Sequence, residues 1–153
     1  MSSFTTPLDV RKLDDGRTWM VLEPFTYHLG TEDSPDYITV PIGFVTDFAS
    51  VPRGLWNLFP PTGKYGKAAV IHDFLYQNGG ITWEYMIQPN DKSRPPRLIT
   101  RRRQPTREEA DRILFEAMAT LKVHPVMKRL VYWGVRLGGH WAWARGHDST
   151  GGV

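Results

Sequence analysis

The four residues Thr106-Arg107-Glu108-Glu109 constrain this chain more than any other stretch. They match the capping box, in which an N-cap hydroxyl and the side chain three residues on satisfy orphan amides at the start of a helix. A pinned N-terminus fixes the direction of every following side chain, at about 100° per residue. Over the helix predicted for residues 107–122, Ala110, Ile113, Leu114, Ala117, Met118 and Leu121 define one apolar face, and Glu108, Arg112 and Glu116 lie outside it. Asp111 falls within about 20° of Met118, on the apolar side. A carboxylate placed there points inward or along the core edge and needs hydrogen-bond donors, because burying an unpartnered charge is strongly unfavourable.

A second helix, predicted over 67–78, contains AAVIHDFLYQN from Ala68 to Asn78. On its wheel His72 lies between Ala68, Leu75 and Tyr76, inside the apolar arc, and Tyr76 stands one turn on at i+4. Asp73 is rotated by about 100° from His72 and faces a different partner. His72 and Tyr76 are therefore the donors available to Asp111. A carboxylate that accepts from one imidazole nitrogen fixes the tautomer and leaves the other as a proton acceptor, the arrangement of a general base. The same residues also describe a satisfied core histidine, with Asp73 a solvated surface residue and Asp47 of TDFASVP a turn-former that bonds nearby amides.

The rest of the chain divides by texture. At 153 residues it can bury one core, so residues 1–153 read as a single domain. Residues 1–43 are β-rich: RTWMVLEPFTYHL alternates around Pro24, and DYITVP ends at Pro41, which predicts a small antiparallel sheet. Residues 44–66, dense in Gly and Pro, read as an ordered loop with one helical turn at Gly54 to Phe59. Gly79-Gly80 is expected to stop the second helix in a left-handed cap. Residues 81–106, with four prolines and several arginines, read as an inserted hairpin or flexible loop. A further helix is predicted over 125–138, closed by Gly138-Gly139, with a loose tail after Arg145. The expected class is α+β, a small N-terminal antiparallel β region followed by three helices.

Composition narrows the chemistry. Without cysteine there are no disulfides or thiolate ligands, so any metal must be held by oxygen or imidazole. The formal charge of +3 is modest, but Lys92, Arg94, Arg97, Arg101, Arg102, Arg103 and Arg107 follow Asp91 with no acidic residue among them. That run suits phosphate, of lipid or of nucleic acid, though no nucleic-acid reader motif accompanies it. No basic-then-apolar leader opens the sequence, so synthesis in the cytoplasm is expected.

TDFASVP, HDFLY, ADRILFEAM and VYWGVRLGG closely resemble a phage- and prophage-associated family, domain-of-unknown-function family 1353, across most of the chain. More distantly, their order and spacing resemble the prokaryotic secreted phospholipases A2, with a TDL-type loop, an HDFGY helix, a D-x-x-FYEDM helix and a terminal YY-x-AV-x-x-FG helix. That resemblance implies a three-helix phospholipase-A2-like core in which His72 activates a water for attack on an ester carbonyl. Asp111 then orients His72, and Tyr76 holds Asp111. It also implies a calcium ion on the Asp47 carboxylate, the Phe48 carbonyl and Asp73, acting as a Lewis acid. The substrate class is a phospholipid or another acyl ester. Trp83, Tyr85 and Arg101 to Arg103 become an interfacial lid against an anionic membrane. The chain departs from those enzymes in lacking cysteine, in its β-rich opening and in its longer 81–106 segment. The alternative is a non-enzymatic phage structural or assembly protein, partnered by virion proteins, in which His72, Asp73, Asp111 and Asp47 form a buried polar network or a structural metal site.

Overall fold

The computed structural model describes residues 4–48, 65–77 and 79–148. Among them the chain forms seven strands, β1 (Val10–Lys12), β2 (Trp19–Val21), β3 (Phe25–His28), β4 (Asp36–Val40), β5 (Val45–Thr46), β6 (Ile81–Ile87) and β7 (Arg97–Arg103). Four helices accompany them: α1 (Gly66–Tyr76), α2 (Arg107–Thr120), α3 (Pro125–Gly138) and α4 (His140–Asp148).

The strands build two antiparallel sheets, one in the order β1-β2-β5 and one in the order β3-β4-β6-β7. Pro24 stands where the chain leaves the first sheet for the second, a position where a residue without an N–H breaks no ladder. In β3 and β4 the two-residue period is visible. Phe25, Tyr27, Ile38 and Val40 are buried, while Thr26 and Thr39 pair across the strands, their hydroxyls 2.9 Å apart.

Helix α1 is buried on nearly every side, from Ala68 through Asp73 and again at Leu75 and Tyr76. A helix that is apolar all round needs neighbours all round. It has them: β4 and β5 on one side, α2 and α4 on the others. The core combines Phe25, Tyr27, Ile38 and Val40 from the sheet with Val70, Ile71 and Leu75 of α1 and Ala110, Leu114 and Met118 of α2. Glu116 of α2 ties the layers together, its Oε1 accepting from the Tyr27 hydroxyl at 2.8 Å and from the Gly30 amide at 2.9 Å. Thr106 caps α2 by accepting from the Glu109 amide at 3.1 Å, and Glu108 and Glu109 lie in the first turn, where the helix dipole favours them.

This architecture overturns the expected small β region followed by a three-helix phospholipase-A2-like core. Among the described residues there are seven strands in two sheets, which supply Val21, Phe25, Tyr27, Ile38, Val40 and Ile81 to the hydrophobic interior, and the helices are four and short. The β content is larger because residues 81–103 form a hairpin of two seven-residue strands, register Ile81↔Arg103 to Ile87↔Arg97, that extends the sheet, and because Val45–Thr46 pairs with β2. The fourth helix arises because Gly138-Gly139 does not stop the chain: Gly139 keeps a right-handed φ of −73°, and α4 begins at His140.

Gly79 and Gly80 are not among the glycines with positive φ, so the left-handed cap expected there is absent. They answer a packing need instead. A Cβ on Gly79 would strike Phe74, and one on Gly80 would lie 2.8 Å from Cγ of Arg102. The helical turn expected at Gly54 to Phe59, most of the 44–66 loop and the last residues of the tail lie outside the described residues. Among the described residues no helix is long and apolar enough to cross a membrane.

Candidate active site

Helices α1 and α2 cross with His72, Tyr76 and Asp111 at their contact. His72 and Asp111 are both 0% exposed. The His72 Nε2 atom lies 2.7 Å from Asp111 Oδ1, and the Tyr76 hydroxyl donates to the same oxygen at 2.6 Å. The His72 and Tyr76 rings lean on each other with centroids 4.1 Å apart, as i and i+4 side chains on one helix face do. From α3, Arg136 Nη1 donates to the second oxygen, Oδ2, at 2.9 Å. Three helices thus converge on one carboxylate.

The electrostatics follow from that count of donors. Burial pushes the Asp111 pKa up, but the bonds from His72, Tyr76 and Arg136 outweigh it, and the net displacement is below the ordinary carboxylate value. Asp111 is therefore an anion at neutral pH. Burial first, and then the bond to Asp111, push the Tyr76 phenol up, so its hydroxyl stays protonated and donates. An anionic Asp111 accepts from N–H on Nε2 of His72, and in the neutral imidazole that tautomer carries its lone pair on Nδ1.

Asp73, the next residue along α1, faces elsewhere and is nearly buried. Its Oδ2 accepts the hydroxyl hydrogen of Thr46 at the end of β5, and Thr46 Oγ1 in turn accepts from the Phe48 amide at 3.1 Å. Phe48 has a φ of 50°, an uncommon left-handed conformation for a bulky residue. Its ring is buried edge-on against Trp19, centroids 6.2 Å apart, which holds the strained turn in place. Asp47, between Thr46 and Phe48, is exposed.

The structure brings His72, Tyr76 and Asp111 into one hydrogen-bonded group and joins the Asp47-Phe48 turn to Asp73 through Thr46. For a cation, Asp47, Asp73 and the Phe48 carbonyl offer oxygen donors of the kind calcium prefers. Among the described residues no three His, Asp or Glu side chains converge as a ready-made metal cluster, so such a site would use main-chain oxygen as well.

The three consecutive arginines expected to form one lid surface are separated by the strand. On β7 neighbouring side chains point to opposite faces, so Arg102 is turned away from Arg101 and Arg103. Arg103 forms a two-pronged ion pair with Glu109, at 2.7 and 2.5 Å, and the Arg102 stem packs over Gly80.

Sequence reasoning missed Arg136, Thr46 and Gly139. Arg136 follows Val135, which is buried, and that placement was the one local signal for its inward reach. Thr46 was eclipsed by its acidic neighbour. Gly139 read as a helix stop, whereas a Cβ there would come within 2.7 Å of the Tyr76 hydroxyl.

Among the described residues, fold and site together define two sheets and four helices with a buried His-Asp-Tyr-Arg group at a three-helix junction. The chain belongs to DUF1353, a family described as protein of unknown function, whose model matches residues 19–135. The matched region spans the Thr46-Asp73 joint, the His72-Asp111 pair and Val135, and stops one residue short of Arg136. No curated protein and no solved structure matches the chain.

Proposed function

We propose that this is an acyl-ester hydrolase with phospholipid as its substrate class, in which His72 is the general base and Asp111 and Tyr76 position it. One observation carries the reading: Asp111 Oδ1 accepts from both His72 Nε2 and the Tyr76 hydroxyl, while Oδ2 is held by Arg136. A core histidine needs one partner. Here the partner is itself fixed by two further donors, which is how a base is oriented and its imidazolium stabilised.

In the reaction His72 Nδ1 takes a proton from a water as the water oxygen bonds to the ester carbonyl carbon. Collapse of the tetrahedral intermediate breaks the carbon–oxygen bond to the alcohol, and the same proton passes to the departing oxygen, leaving a carboxylic acid and an alcohol. Asp47, the Phe48 carbonyl and Asp73 are the groups that would hold calcium, whose positive charge would stabilise oxygen as it becomes anionic. Phage or prophage association belongs to the same reading and is supported by the resemblance of the four motifs.

The complete burial of His72 and Asp111 favours a second reading, a non-enzymatic phage structural or assembly protein whose polar network locks α1, α2 and α3 together. Fatty-acid release from mixed phospholipid vesicles, with calcium and with chelator, separates the two. Wild type should hydrolyse with calcium, and His72→Gln should be slower by about 100-fold or more. Background hydrolysis by a folded, calcium-supplied wild type overturns the hydrolase in favour of the structural protein.

A further inference from the structure

Helix α3 is apolar on two sides and packed on one. Val131 and Val135 are buried among the helices, yet Val126, Leu130, Trp133 and Leu137 are 56, 50, 60 and 81% exposed. At 100° per residue those four fall within about 60° of one another, a straight stripe along the helix. Trp141 of α4, 76% exposed, stands just past its end. Single exposed apolar side chains are ordinary, but four aligned on one helix with a second tryptophan following are not.

The segment that carries the stripe is basic, although Arg136 is engaged by Asp111 and Glu116 of α2 lies nearby. Between Glu116 and Asp148 the chain carries Lys122, Lys128, Arg129, Arg136 and Arg145 and no acidic residue. Beside the stripe, Trp133 also lines a pocket of about 460 Å³ between α2 and α3, with Phe115 and Tyr132 as walls, Arg112 and Arg129 contributing guanidinium groups, and Glu116 a carboxylate whose Oε1 is already held by Tyr27 and Gly30. Lys128 sits 5.0 Å over the Phe115 ring.

We propose that this face of α3 and α4 docks on an anionic membrane surface, with the apolar stripe in the headgroup–acyl boundary and an anionic lipid headgroup at the Arg112/Arg129 pocket. A helix lying in an interface carries an apolar face with tryptophan, flanked by Lys and Arg, and this surface has all of these. A second copy of the chain fits poorly, because a two-fold contact through the stripe would bring the same basic flanks against each other. The surface replaces the β7 arginines as the membrane contact, since those point to opposite faces and Arg103 is committed to Glu109.

Co-sedimentation with vesicles tests it. Wild type should pellet with phosphatidylcholine vesicles containing phosphatidylglycerol and stay in solution with phosphatidylcholine alone. The double variant Trp133→Ser/Leu137→Ser, whose side chains are exposed and leave the core intact, should bind about tenfold more weakly or worse. Arg112→Gln/Arg129→Gln should lose the preference for anionic lipid, and Arg101→Gln should bind as wild type does. Failure of a folded wild type to pellet overturns the proposal, and so does full binding by the Trp133/Leu137 variant. Concentration-dependent dimerisation that this variant abolishes also overturns it, assigning the face to a second copy. His72→Gln should bind vesicles normally, so loss of hydrolysis and loss of docking are read separately.

Discussion

Thr46 donates its hydroxyl hydrogen to Oδ2 of Asp73, 27 residues further along the chain, and both side chains are buried. Through the same oxygen Thr46 accepts from the Phe48 amide, so one hydroxyl fastens the strained turn after β5 to a face of α1 about 100° round from that of His72.

Replacing Thr46 by valine keeps the shape and removes the hydroxyl. A buried carboxylate oxygen and an amide then both lose a partner, so Thr46→Val should lower stability by about 1–3 kcal/mol, whereas Thr46→Ser should retain most of it. Urea unfolding midpoints of the three proteins check this. Equal midpoints for valine and wild type would show that the joint contributes nothing.

Calcium affinity should depend on Asp73 and Asp47. Isothermal calorimetry is expected to show binding by wild type and its loss in Asp73→Asn, with Asp47→Asn weaker than wild type. An unchanged isotherm in both variants removes the Asp47-Phe48-Asp73 assignment.

Removing the central carboxylate leaves His72, Tyr76 and Arg136 without their common acceptor. Asp111→Ala should cost about 3–5 kcal/mol, in the range seen when one partner of a buried pair is deleted. Asp111→Asn should cost less but cripple turnover, because the amide can select the wrong imidazole tautomer and no longer supports an imidazolium. Denaturant titrations and rates on a soluble short-chain ester measure the two effects separately.

Stability should have a pH window set by the same group. The folded-state pKa of Asp111 is depressed, so its contribution is complete above the unfolded carboxylate value of about 3.9 and is lost as pH falls through the lower folded value. The Tyr76 pKa is raised in the folded state, so its contribution is complete below about 10 and is lost as pH climbs beyond that. Unfolding free energy against pH should therefore fall on both flanks, and Asp111→Asn should flatten the acid one. An acid flank of identical slope in that variant would assign it to other carboxylates.

Gly139→Ala places a methyl against the Val135 carbonyl and 2.7 Å from the Tyr76 hydroxyl, forcing the α3–α4 joint to shift and pressing the phenol off Asp111. The expected cost is about 1–3 kcal/mol, with a matching drop in any His72-dependent rate. Gly138→Ala, where a methyl meets nothing within 4 Å, is the control and should be close to neutral.

Sequence alone determined what local periodicity can carry. The capping box fixed α2 and put Asp111 inward, the wheel of α1 put His72 and Tyr76 on one face, and Phe25, Tyr27, Ile38 and Val40 showed their alternation. Tertiary structure alone decided the rest, because each remaining feature is a relationship between distant segments. The Arg97–Arg103 strand has mostly exposed side chains, so no buried period marked it, and its identity comes from pairing with β6. Arg136 reaches Asp111 across 25 residues and Thr46 reaches Asp73 across 27, contacts that depend on how helices and sheet edges pack and leave no trace in the spacing of either residue. Helix α4 follows a Gly-Gly pair that ends helices when solvent waits beyond it; here α1 waits instead, and Tyr76 meets Trp143 edge-on with centroids 5.0 Å apart. A local signal states what a backbone prefers, and burial against a neighbour decides whether that preference is followed.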